Sequence, residues 1–83
     1  MTNSDHSEVY KTVDHLFRLE SGKMVSVLTR VFGFSNIEQA EDIVQDTIMK
    51  ALEIWKWGKI PENPQAWLYK TATNQAIELI RRE

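Results

Sequence analysis

The sequence predicts an all-α fold, a small bundle of three or four helices. Apolar residues recur at steps of three and four through almost the whole chain, which is the spacing of a helix with one buried face. Three glycines and two prolines are the only helix breakers, and most of them stand between periodic segments. The 83 residues make one domain with a modest core and a stability of only a few kcal/mol.

The first helix is expected from about Ser7 to Phe32, behind a disordered tail over residues 1–8. Ser21 and Gly22 lie in its middle, where a glycine costs about 1 kcal/mol relative to alanine. They mark either a break between two helices or a weak position that one helix tolerates. We favour one continuous helix with at most a slight kink. Gly33 fits a C-terminal cap. The predicted buried face comprises Val9, Val13, Leu16, Phe17, Met24, Val25, Leu28, Val31 and Phe32.

The second helix is expected to run to Lys56 or Trp57 and to have two unlike faces. Ser35 and Glu38 have the spacing of a capping box at its start. Its apolar stripe comprises Ile37, Ala40, Ile43, Val44, Ile48, Ala51, Leu52 and Trp55. Its opposite stripe is acidic, with one amide and one thioether, and comprises Asp42, Gln45, Asp46, Met49 and Glu53. That stripe is either a plain solvated face or a docking surface for a basic partner helix.

A loop over residues 57–63 separates this helix from the last one. Asn63 followed by Pro64 predicts a helix start, because an amide cap precedes a proline at the first helical position. The buried stripe of the last helix comprises Trp67, Leu68, Ala72, Ala76, Leu79 and Ile80, and its opposite face carries Lys70, Thr73, Asn74 and Arg81. We expect Trp55 and Trp67 to lie in the core. The pattern does not assign Trp57 and Tyr69 to either the core or the surface.

Composition argues against several functions. There is no cysteine and hence no disulfide, and His6 and His15 lack metal-ligand spacing, so no metal or cofactor is expected. Asp42 and Asp46 form a carboxylate pair one turn apart, but so small a bundle leaves little room for the enclosed site that acid–base catalysis needs. No enzyme activity is expected. No apolar run approaches the ~20 residues of a membrane span, and no signal peptide is evident, so a cytoplasmic protein is expected.

Charge is segregated along the chain, although the net charge is only −2. Residues 35–53 carry five acids and one base, whereas residues 54–83 carry five bases and three acids. Residues 54–83 also contain aromatic and hydroxyl side chains. Basic, aromatic and polar groups together are typical of a surface that binds single-stranded nucleic acid. The competing interpretation is an aromatic loop packed on its own core.

Two runs resemble region 2 of bacterial sigma factors, most closely those of the extracytoplasmic-function (ECF) group. They are residues 40–47 (AEDIVQDT) with Ala51 and Leu52, and residues 63–82 (NPQAWLYKTATNQAIELIRR). Residues 19–22 (LESG) and the helix that follows resemble one ECF branch whose members carry a long additional C-terminal domain. One departure is Glu78, where the family usually has an aspartate.

The resemblance implies two partners. The second helix would dock on the clamp helices of the RNA polymerase β′ subunit through Asp42, Gln45, Asp46 and Met49. The loop and last helix would hold the melted non-template strand of the −10 promoter element, with one base flipped into a pocket. The DNA-binding residues implied are Lys56, Trp57, Lys59, Asn63, Lys70, Thr73, Asn74, Arg81 and Arg82.

The resemblance also limits what these residues can do alone. The family's second domain, which reads the −35 element, is absent from this chain, and an anti-sigma factor is a possible further partner. The alternative function is a protein-interaction bundle that uses its acidic helix and has no DNA role. A homodimeric bundle with a structural role is a third interpretation.

Overall fold

A computed structural model describes residues 6–33 and 37–82, and it confirms the all-α class. Its three helices are α1 (Ser7–Phe32), α2 (Ile37–Trp57) and α3 (Pro64–Arg82). Each helix packs against the other two. Ser7 and Glu8, which were expected in a disordered tail, form the first turn of α1. Residues 1–5 and the capping serine expected at position 35 lie outside the described residues.

Helix α1 runs unbroken through Gly22, as the periodicity predicted. A Cβ added there would meet nothing within 4 Å, so this glycine is not required by a close approach. The C-terminal cap at Gly33 is also confirmed. Its φ of 66° lies in the left-handed region that glycine adopts without strain, and its N–H donates to the Thr29 carbonyl at 3.0 Å.

The core lies where the three apolar stripes meet. Its buried apolar members are Val9, Val13, Leu16, Met24, Leu28, Ala40, Ile43, Val44, Ala51, Trp55, Leu68, Ala72 and Ala76. The two tryptophans expected inside pack edge to face, with ring centroids 5.1 Å apart; Trp55 is 1% exposed and Trp67 is half-buried. This pair joins the last turn of α2 to the first turn of α3, and thereby anchors both ends of the loop between them.

Four residues predicted to be buried are instead exposed: Phe17, Val31, Ile37 and Ile80. The last three lie in terminal turns of their helices, where fewer neighbouring turns are available to cover them. Phe17 lies at the edge of its stripe. Three helices bury a narrower arc of each helix than the spacing alone suggested.

Two polar side chains, Glu20 and Thr47, are buried within this core. The Thr47 hydroxyl donates to the Ile43 carbonyl at 2.8 Å and accepts from Gln75 Nε2 at 2.9 Å, which links α2 to α3. Glu20 links α1 to α3. Its carboxylate accepts hydrogen bonds from Gln65 Nε2 at 2.6 Å and from the Tyr69 hydroxyl at 3.4 Å.

Candidate functional site

The acidic face of α2 points into solvent. Asp42, Gln45, Asp46 and Met49 are all exposed, and Met49 retains 67% of its accessible surface. Neither aspartate forms an ion pair or hydrogen bond with any of the residues that the structure describes. The two carboxylates are therefore free to meet a cationic partner, and Met49 adds an apolar contact beside them.

An open groove runs between this face and α3. On the α3 side, this groove is lined by Gln75, Glu78, Leu79 and Arg82. Arg82, predicted to bind DNA together with Arg81, thus lies beside the acidic face. The physical reason is the helical turn of about 100° per residue, which makes two adjacent arginines project in different directions.

The outward face of α3 collects the remaining DNA-binding candidates of that helix. Lys70, Asn74 and Arg81 are exposed and Thr73 is half-buried. Asn74 and Arg81 line a shallow groove with Lys50, a cation from α2 that the sequence analysis did not select. Spacing along α2 could have indicated it, because Lys50 precedes Trp57 by two turns.

The end of α2 presents an aromatic platform. Trp57 is 74% exposed, and Lys56 Nζ lies 5.7 Å from its ring centroid. The His6 ring meets the same indole edge to face, with centroids also 5.7 Å apart. Lys59 is exposed in the loop that follows. An exposed indole beside two lysines offers a stacking surface and positive charge within one short segment.

Asn63 has two roles available to one side chain. Its Oδ1 accepts from the Ala66 N–H at 3.1 Å, which confirms the predicted cap of α3. Its amide N–H groups have no hydrogen-bond partner among the described residues. They remain available as donors at the start of α3.

The link between α1 and the start of α3 was missed by the sequence analysis. Glu20 follows Leu16 and precedes Met24 by one turn each, so its place on the buried stripe was visible in the spacing. Its partners were not visible, because only the packing of α3 brings them near. Burial, together with the Glu20 charge and hydrogen bond, raises the pKa of Tyr69, so that Tyr69 stays a hydrogen-bond donor.

The described residues contain no group of three or more histidine and acidic side chains close enough to bind a metal ion. Nor does the described part of the chain include a helix both long and apolar enough to cross a membrane. The features that remain are the acidic face, the outward face of α3 and the platform at the loop.

The family model for sigma-70 region 2 matches residues 16–83. The chain belongs to the sigma-70 region 2 family. Members of this family are domains of transcription initiation factors, which contact RNA polymerase and promoter DNA.

A relative in Rhizobium meliloti (strain 1021), described as uncharacterized protein R00370, is 34% identical over 50 residues. The match covers 60% of this chain and 12% of that protein, so the chain spans a small part of the relative's length. No solved structure matches the chain.

Proposed function

We propose that this chain is the region 2 domain of an ECF-group sigma factor, with one surface for RNA polymerase and another for melted promoter DNA. The acidic face of α2 docks on the β′ clamp helices. The platform, the loop and the outward face of α3 hold the non-template strand of the −10 element. The whole protein directs transcription initiation in the cytoplasm, with a separate domain for the −35 element and an anti-sigma factor as a possible regulator.

One observation carries the polymerase part of this proposal. Asp42 and Asp46 are exposed and form no ion pair with the described residues, so docking needs no internal bridge to break first. Opposite potentials across an interface fix register and accelerate encounter. Met49 supplies apolar contact area at the same face, as the central contacts of an interface require.

The DNA part rests on a combination of groups. Melted bases expose ring faces for stacking, and Trp57 offers an exposed indole. Lys56, Lys59 and Lys70 provide charge for phosphates, while Asn74 and the free amide of Asn63 can reach base edges. A base taken out of its stack is cheapest to extract where stacking is weak, as at TA steps.

The polymerase surface is tested with an immobilised fragment of the β′ clamp helices. Reversal of both charges, Asp42→Lys with Asp46→Lys, is expected to weaken binding by about 100-fold, because two attractive contacts become repulsive. The matched control is Glu8→Lys, which reverses an exposed acid in the first turn of α1, outside the acidic face. Unchanged capture by the double variant, or equal loss in the control, contradicts the docking surface.

The DNA surface is tested with a labelled single-stranded oligonucleotide of −10 type at low salt, where phosphate contacts are strongest. We expect binding that falls with rising salt and falls sharply for Trp57→Ala. If the wild type gives no sequence-dependent response at any salt concentration, the protein-interaction bundle without a DNA role becomes the better description.

A further inference from the structure

Glu20 is the one charged side chain buried among the residues that the structure describes, with 6% of its surface exposed. It lies at the centre of the inward face of α1, one turn from Leu16 and from Met24. A carboxylate in such a place is costly unless hydrogen bonds and favourable charges compensate for the lost water. Its place in the core therefore calls for a physical reason.

The partners of Glu20 are two neutral donors on α3. Gln65 Nε2 donates to one carboxylate oxygen at 2.6 Å, and the Tyr69 hydroxyl reaches the other at 3.4 Å. Glu20 forms no ion pair with any described residue. Gln65 and Tyr69 are four residues apart, so they lie one turn above the other on the same side of α3. One carboxylate thus holds two successive turns of a second helix.

The contact with Gln65 places the Glu20 carboxylate beside a side chain of the first turn of α3. The first turn of α3 contains no acidic residue of its own, and Gln65 is its second residue. Backbone N–H groups at the start of a helix carry a partial positive charge that favours a nearby anion. The Glu20 carboxylate accepts a hydrogen bond from a side chain of this turn, and Asn63 caps the same turn.

The two hydrogen bonds that Glu20 accepts restrain the rotation of α3 about its own axis. Lys70, Thr73 and Asn74 lie on the outward side of that helix. With side chains, an α-helix has a radius of about 5–6 Å, so a rotation of about 20° moves groups at its surface by about 2 Å. A movement of that size is enough to spoil the alignment of groups that must meet a bound strand together.

We propose that Glu20 is a positioning residue for the DNA surface. Through Gln65 and Tyr69 its carboxylate sets the orientation of α3 and of the loop attached to it, and thereby the discrimination between DNA sequences. Glu20 touches no DNA itself. The inference rests on the proposed function, and it adds that a residue of α1, outside both surfaces, controls only one of them.

The test measures three quantities on the 83-residue chain for the wild type and Glu20→Gln. They are the melting temperature, the affinity for the β′ clamp fragment, and the ratio of affinities for a −10 oligonucleotide and a scrambled one of equal composition. Under conditions where both proteins are folded, we expect the ratio to fall about tenfold. The affinity for the clamp fragment should not change, because the residues proposed to bind the clamp lie on α2.

Two further variants separate positioning from simple stabilisation. The exchange Glu20→Gln with Gln65→Glu restores a carboxylate–amide pair across the same contact, and it is expected to recover most of the lost discrimination. Tyr69→Phe retains the ring and removes one donor, so it is expected to lower discrimination with unchanged clamp affinity. If Glu20→Gln does not fold, Tyr69→Phe is the variant that tests the positioning role.

The outcomes are distinguishable. A folded Glu20→Gln protein, or a folded Tyr69→Phe protein if the former fails to fold, with wild-type discrimination overturns the positioning role and leaves the proposed function intact. Equal losses of clamp and DNA affinity also overturn it, because they indicate general damage to the fold. A wild-type chain that does not discriminate between the oligonucleotides overturns the DNA part of the proposed function, and the inference with it.

Discussion

The acidic face and the proposed DNA surface differ in how many elements build them. Asp42, Gln45, Asp46 and Met49 belong to one helix, whose geometry alone fixes their spacing. The candidates for DNA come from the end of α2, the loop and α3, so their arrangement depends on how those elements pack. A surface on a single helix survives small shifts of the bundle, whereas a surface assembled from several elements does not.

Removal of the central tryptophan is expected to break both surfaces and to have the largest effect. Trp55 is 1% exposed and packs against Trp67, so Trp55→Ala should cost about 3–5 kcal/mol. A domain of this size has little more stability than that. Circular dichroism should show loss of cooperative unfolding. The control is Trp57→Ala, whose exposed indole should change stability by no more than about 0.5 kcal/mol; similar losses in the two variants would contradict the core assignment.

Loss of the link between α2 and α3 is expected to affect the two surfaces unequally. Thr47→Val keeps the shape of the side chain but leaves Gln75 Nε2 without its acceptor, at a cost of about 1–2 kcal/mol. Oligonucleotide binding should weaken more than clamp binding, because only the DNA surface spans both helices. Thr47→Ser retains the hydroxyl and serves as the control. A larger loss of clamp affinity than of DNA affinity would reverse the proposed order.

Asn63 allows capping and DNA contact to be separated. Asn63→Ala removes the cap and should cost about 1 kcal/mol in chemical denaturation. Asn63→Asp keeps an acceptor oxygen for the Ala66 N–H but lacks the amide donors, so it should retain stability and still bind the oligonucleotide more weakly. If Asn63→Asp binds as tightly as the wild type, Asn63 acts only as a cap.

The smallest effect concerns Tyr69 at alkaline pH. Its pKa is raised, first by burial and then by the charge and hydrogen bond of Glu20, so folding favours the neutral phenol. That contribution to stability is complete below pH 10 and is lost as the pH rises through the higher pKa of the folded state. In a Tyr10→Phe background, absorbance near 295 nm reports Tyr69 alone. Glu20→Gln should lower the pKa obtained; no change would show that Glu20 does not act on the phenol.

Much of the fold follows from local physics and was predictable. The continuity of α1, the Gly33 cap and the Asn63–Pro64 start each depend on residues close together in the chain, and all three are confirmed. The residues of the acidic face were predictable for the same reason, because the period of a single helix relates their positions. Its role in docking stays a prediction, as do the DNA contacts.

The remaining features depend on packing between helices, which spacing does not specify. Phe17 and Ile37 fit an apolar stripe but lie where the neighbouring helices do not cover them. Arg82 shares a groove with the acidic face because α3 is rotated in one particular way against α2. The partners of Glu20 come from residues 45 and 49 positions further along the chain. No local pattern contains that information.

We propose that one small domain carries two surfaces that can be occupied together. The most direct measurement is the anisotropy of a labelled −10 oligonucleotide titrated with the free domain and with the domain saturated by the β′ clamp fragment. Two separate surfaces predict a ternary complex with equal or tighter DNA binding in the presence of the fragment. Displacement of the oligonucleotide by the clamp fragment would contradict the account, because it would mean that both partners compete for one face.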